Sequence, residues 1–189
     1  MAVSVPGPGV PPAAGPVRPR AKGFRRRSPG LAWRLDQQRR RSYLRSNAEW
    51  TVPLAITAEI VDGARRLREA LAQEDEEETG RVSQRIVDQL CDGTGIPRIP
   101  VNVKGPRLVR GRVEFYGFCG RNGTITLYCR TARRNRMVAF KTYLNTLVHE
   151  FMHHDDWTRL RIHSMHTGGF YRRIGFVYKG ILGALDGLV

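Results

Sequence analysis

His149, Glu150 and His153 form the pattern H-E-x-x-H within the stretch Leu147-Val148-His149-Glu150-Phe151-Met152-His153-His154. On an α-helix, residues four apart share one face, about 40° apart around the axis. Two imidazoles so placed can each give one nitrogen to a Zn²⁺ ion at ~2.0–2.1 Å. Glu150 points to the side of that pair, where its carboxylate can reach a water at the metal without displacing it. That is the geometry a general base needs. The commonplace alternative is a helix carrying solvated or capping histidines. Against it, Phe140, Leu144, Leu147 and Phe151 recur at i, i+4, i+7 and i+11 as an apolar stripe. The stripe lies roughly opposite the His149/His153 face, so the helix can anchor in a core while its histidines face a cleft. All 5 histidines of the chain also fall between positions 149 and 166.

A catalytic zinc site usually takes three protein ligands and keeps one position for water. No glutamate follows Glu150, which excludes a third ligand supplied as Glu from a downstream helix. The longer pattern H-E-x-x-H-x-x-G-x-x-H fails as well, because Asp156 and Arg159 stand where its glycine and last histidine belong. His163, His166, Asp155, Asp156 and Asp186 remain as candidates. His166 is favoured, since Gly168-Gly169 just beyond it let the backbone bend and approach closely; His163 is the alternative. Asp156 lies one turn beyond His153 and suits orienting a ligand better than completing the site. Asp155 reads as solvated, and His154 as an exposed or ligand-orienting histidine facing away from the metal side.

The elements that must position these residues are legible as periodicities. Residues 54–72 read as a helix with Ile56, Ile60, Ala64, Leu67 and Leu71 on one face. The acidic run Glu74 to Glu78 reads as a solvated turn. A second helix follows over 81–91, ended by Asp92-Gly93-Thr94-Gly95 and Pro97. Three short strands come next, over 99–103, 113–118 and 124–129. The last two flank a hairpin turn at Gly120-Arg121-Asn122-Gly123, and Thr124, Thr126 and Tyr128 alternate with Ile125 and Leu127. The H-E-x-x-H helix is expected from an Asn135 N-cap to about Arg161. A final helix from Gly169 carries Phe170, Ile174, Val177, Ile181 and Leu185 inward. The fold class implied is α+β: N-terminal helices, a small three-stranded sheet, the H-E-x-x-H helix and a closing helix.

The 189 residues suffice for one domain and a tail. Residues 1–45 hold ten Arg and one Lys against the single acid Asp36, which is +10 of the net +15. Rich in Pro, Gly and Arg and poor in large apolar side chains, residues 1–47 read as a disordered basic tail ahead of a domain over 48–189. Arg25-Arg26-Arg27 and Arg39-Arg40-Arg41 could hold nucleic-acid phosphates by charge alone, without sequence preference. A merely solubilising leader is the competing reading, and removing residues 1–45 is expected to leave metal binding unchanged. No continuous apolar stretch suits a secretory signal or a membrane span. Cys91, Cys119 and Cys129 are odd in number and lack C-x-x-C pairing, which points to free thiols in a reducing, cytoplasmic compartment. The basic tail would add association with the nucleoid. Nothing in the sequence sets the oligomeric state.

The order of elements, with His149-Glu150-Phe151-Met152-His153 and then His166-Thr167-Gly168-Gly169-Phe170, resembles the SprT-like zinc metalloproteases. Tyr116-Gly117-Phe118-Cys119 and Ile125-Thr126-Leu127 are similar to the segment ahead of that family's active helix. The resemblance covers roughly residues 50–185 and is specific over the last forty or so. It implies a zincin-like fold, His149, His153 and His166 as Zn²⁺ ligands, and Glu150 as the catalytic acid/base. It also implies a peptide hydrolase whose protein substrates are associated with DNA. Two departures stand out: Thr167 replaces the glycine that usually follows the third histidine, and three cysteines cannot build the zinc ribbon many relatives carry. The competing expectation is a basic nucleic-acid-binding protein whose zincin-like domain is structural and not proteolytic.

Overall fold

Thr57 decides where the first core helix begins. Its side chain accepts a hydrogen bond from the Ile60 amide, so α2 runs Ala58–Ala72 and not from 54. Ile60, Ala64, Leu67 and Leu71 form its buried face, as their spacing predicts. The acidic run is not a turn. Asp75 accepts from the Glu78 amide at 2.8 Å and caps α3 (Glu76–Thr94), placing Glu76, Glu77 and Glu78 at the positive end of the helix dipole. Glu74 and Glu76 also pair with Arg130. Gly95 caps α3 in the left-handed region at φ 68°, so the helix expected to stop at 91 runs three residues further, to Thr94.

The structure, a computed structural model, describes residues 29–120 and 123–187. It is α+β. After α1 (Pro29–Ala48), α2 and α3 come β1 (Val101–Pro106), β2 (Leu108–Arg110), β3 (Val113–Phe115), β4 (Gly117–Gly120) and β5 (Thr124–Arg130), then α4 (Phe140–Thr158) and α5 (Gly168–Leu185). The three-stranded sheet has the order β1-β5-β4, with β1 parallel and β4 antiparallel to β5. The single strand expected over 113–118 is divided: β3 pairs with β2 in a separate ribbon, and only β4 joins the sheet. Arg107 lies over the Tyr116 ring at 3.6 Å and pairs with Glu114, fastening the point where the chain leaves one sheet for the other. Thr126 and Tyr128 are buried along with Ile125 and Leu127, so the central strand β5 is covered on both faces and has no polar side. Arg121 and Asn122 of the expected hairpin turn lie outside the described residues, as do residues 1–28 of the expected tail.

The tail boundary moves. From Pro29 the chain is the helix α1, which rests against α5 with Ser42 and Ser46 buried and its arginines exposed. No apolar stripe announces this contact, because its bonds are polar. The core is one cluster that joins α2, α3, β5, α4 and α5 through residues such as Leu67, Ile86, Leu127, Leu147, Phe151 and Val177. Among the described residues, no helix is long and apolar enough to cross a membrane.

Candidate metal centre

α4 starts later and stops earlier than its sequence pattern suggests. Asn135 does not cap it; at φ 48° it sits in a left-handed turn that asparagine tolerates. Val138 is still tied to β5 through its amide and the Cys129 carbonyl. Ala139 occupies the N-cap with no side-chain bond, and Arg161 at φ 52° lies beyond the helix end. Leu144, Leu147 and Phe151 are buried as expected, with Phe140 partly so, yet Val148 and Met152 are buried too. The helix is therefore enclosed nearly all round.

Its polar residues find partners inside. His154, expected to be exposed or ligand-orienting, is buried and its Nε2 lies 2.7 Å from the Pro97 carbonyl. Asp155, expected to be solvated, is fully buried and accepts two bonds from Arg159 at 2.7 and 2.8 Å. Asp156 is also fully buried, against Arg173 and Ser164.

His149 and His153 face the segment that leads into α5. Thr167 caps that helix, accepting from the Phe170 amide at 3.1 Å, and so holds His166 over the pair. The His166 Nε2 lies 3.1 Å from the His149 Nε2 and 3.2 Å from the His153 Nε2. Two nitrogens bound to one tetrahedral metal ion at ~2.0–2.1 Å are themselves roughly 3.3 Å apart, so these imidazoles lie close enough to share one ion. Among the described residues this is the group of histidine, cysteine and carboxylate side chains able to hold a metal ion, with all its ligand atoms within 4.8 Å of one another. His163, Asp155, Asp156 and Asp186 are not in it. Burial, with His166 adding to it, lowers the pKa of His149 to about 4. Burial, reinforced by His149 and His166, lowers that of His153 to about 3. Both are neutral imidazoles at neutral pH, the form that can coordinate.

Glu150 is buried beside this group, at one end of a cleft formed with Tyr116, Gly117, Asn145 and Thr146. Gly117 makes that closeness possible: a Cβ there would lie 3.1 Å from the Glu150 Cγ and 3.0 Å from the Thr126 carbonyl oxygen. Burial raises the Glu150 carboxyl to about 7, opposed by a hydrogen bond from the Cys119 amide. A carboxylate so poised can take up and release a proton near neutral pH. Native protein whose carboxyl pKa exceeds its unfolded value is favoured below the unfolded pKa and loses that advantage as pH rises through about 7. Metal-stripped Glu150→Gln is therefore expected to match wild type near pH 4.5 and to exceed it at pH 8 by up to roughly 2–3 kcal/mol, measured by denaturant unfolding. Neighbouring titrations are common to both proteins and cancel in the difference.

The three thiols stand apart from the metal group. Burial pushes Cys91 and Cys119 up to about 12 and Cys129 to about 11, as suits structural cysteines. Two contributors to the site escape a reading of the sequence, Ser164 and Arg173. Ser164 Oγ lies 2.6 Å from the His153 Nδ1, and Arg173 is fully buried against Asp156. A signal for Arg173 did exist, since it stands beside Ile174 on the apolar face of α5. No protein-family model, curated protein or solved structure matches the chain.

Proposed function

We propose that the protein is a zinc-dependent endopeptidase of the SprT-like kind. The observation that carries this is the convergence of three imidazole Nε2 atoms at 3.1 and 3.2 Å beside a buried, ionisable Glu150. His149, His153 and His166 would hold the metal. Zinc, when bound, supplies Lewis acidity that polarises a carbonyl and lowers the pKa of water. Glu150 takes the proton of the attacking water and returns it to the leaving amine, a transfer favoured by a carboxyl pKa of about 7. Gly117, lacking a Cβ, lets β4 lie close against that carboxylate where it lines the cleft.

The sheet order puts β4 at an edge, directly beside α4. An extended peptide laid along that edge gains backbone hydrogen bonds and passes the Glu150 side of the site. The substrate is therefore a protein presenting an extended segment. Arg39, Arg40, Arg41 and Arg45 on the exposed surface of α1 favour substrates held near nucleic acid. A purely structural metal site has no use for an ionisable carboxylate in the cleft, which disfavours the non-proteolytic nucleic-acid-binding reading.

Protein purified with metal present is expected to contain about one zinc per chain. It is expected to cleave casein or a DNA-bound protein, to stop on chelation and to resume when zinc is restored. Absence of metal from the wild type sinks the zinc reading. Full zinc occupancy with no cleavage of either substrate sinks the peptidase reading and leaves the binding protein.

A further inference from the structure

Arg173 heads the fully buried side chains by volume. It lies on α5 beside Ile174, on the face turned to the core, where an unpaired charge would be prohibitive. Its Nη2 donates to the Asp156 Oδ1 at 2.5 Å. Its Nη1 donates to the Ser46 and Glu49 carbonyls at 2.9 and 2.8 Å, at the C-terminal end of α1. The other oxygen of Asp156, Oδ2, lies 2.7 Å from Ser164 Oγ, which in turn lies 2.6 Å from the His153 Nδ1.

Proton counting gives this chain a direction. A hydroxyl has one proton to donate, and a carboxylate paired with arginine can only accept. The Ser164 proton therefore goes to Asp156, and Ser164 Oγ accepts from the His153 Nδ1–H. The other ring nitrogen, Nε2, is left with its lone pair, and this is the atom 3.2 Å from the His166 Nε2. Carboxylate partners act on metal-ligating histidines in the same sense, fixing tautomer and ring orientation.

α1 holds the remainder of the same segment. Ser42 Oγ accepts from the His163 amide at 3.1 Å, and Asn47 Oδ1 from the Gly169 amide at 3.2 Å. Ser46 Oγ and Thr167 Oγ1 are hydrogen-bonded at 2.9 Å. The approach is so close that a Cβ on Gly169 would fall 2.0 Å from the Ser46 carbonyl oxygen.

We infer that Arg173, Asp156 and Ser164 are positioning residues that hold His153 in its Nδ1–H tautomer, and that α1 is the brace to which Arg173 anchors them. The inference rests on the zinc reading of His149, His153 and His166, but its first readout needs no metal. In metal-stripped wild type, long-range ¹H–¹⁵N correlation is expected to show the His153 ring protonated on Nδ1. In Ser164→Ala the proton redistributes toward Nε2. Zinc affinity, measured by competition with a chromophoric chelator, is expected to fall 10–100-fold in Ser164→Ala and to recover to within about threefold of wild type in Ser164→Thr. Ser83→Ala removes another buried hydroxyl, one bonded to the Tyr143 hydroxyl and to no member of this chain of bonds, and is expected to leave both readouts unchanged. Deleting residues 1–45 strips away most of α1 and should weaken zinc binding, against the expectation for a dispensable tail. The inference is overturned if Ser164→Ala keeps the Nδ1–H tautomer and a zinc affinity within about threefold of wild type. A wild type with the Nδ1–H tautomer that takes up no zinc removes the endopeptidase reading and leaves the positioning chain standing.

Discussion

Glu150→Gln is expected to lower peptide hydrolysis by roughly 10²–10⁴-fold while zinc content and fold stay as in wild type. The amide matches the carboxylate in shape, so the cleft beside Gly117 and Thr146 keeps its dimensions. What it lacks is a lone pair basic enough to take a proton from water. None of the three imidazoles that would hold the metal is touched, so elemental analysis should still find about one zinc per chain. His149→Ala or His153→Ala should instead lose metal and activity together, because each removes one of the converging nitrogens. The pair of measurements separates the base from the metal ligands. If Glu150→Gln cleaves casein as fast as wild type, the proton goes elsewhere and the role given to Glu150 is wrong.

Arg173→Met is expected to destabilise the fold by about 3–5 kcal/mol, the usual cost of breaking a buried ion pair by removing one partner. Both members of the pair have a relative side-chain exposure of 0%. Methionine fills much of the volume but leaves the Asp156 carboxylate and the Ser46 and Glu49 carbonyls without their donor. In a domain of this size the loss corresponds to a fall of roughly 6–20 °C in Tm, readable by calorimetry. The double change Arg173→Met with Asp156→Asn should recover part of it, since no charge is then stranded. A single variant that melts within about 1 kcal/mol of wild type would show that the pair carries little of the fold.

Much of this is written locally in the chain. The i, i+4 spacing of His149 and His153 places both imidazoles on one face of α4 whatever surrounds that helix. The stripes through Ile60 and Leu67, Val82 and Ile86, and Phe170 and Val177 each mark a buried face, and Thr57 and Gly95 mark helix ends through their own caps. These features depend on neighbours a few residues away, which is the range a periodicity reports.

Other features depend on partners far along the chain. Whether His163 or His166 joins the pair turns on the path between Thr158 and Gly168, and that path is set by α1: the bond from the His163 amide to Ser42 spans 121 positions. α1 itself reads as a tail because Ser42, Ser46 and Asn47 dock it through hydrogen bonds and no apolar stripe. Asp156 reads from its spacing as a residue that orients a ligand, but its partners Ser164 and Arg173 cannot be read that way. Asp155 reads as solvated, and burial beneath the closing helix turns it into half of an ion pair, while His154 becomes a partner of the Pro97 carbonyl. The parallel pairing of β1 with β5 and the division of the 113–118 strand are long-range choices of the same sort. Apolar burial recurs along an element and so leaves a repeating trace, whereas a polar bond between distant segments needs one donor and one acceptor, each of which looks like any other surface residue until the fold brings them together.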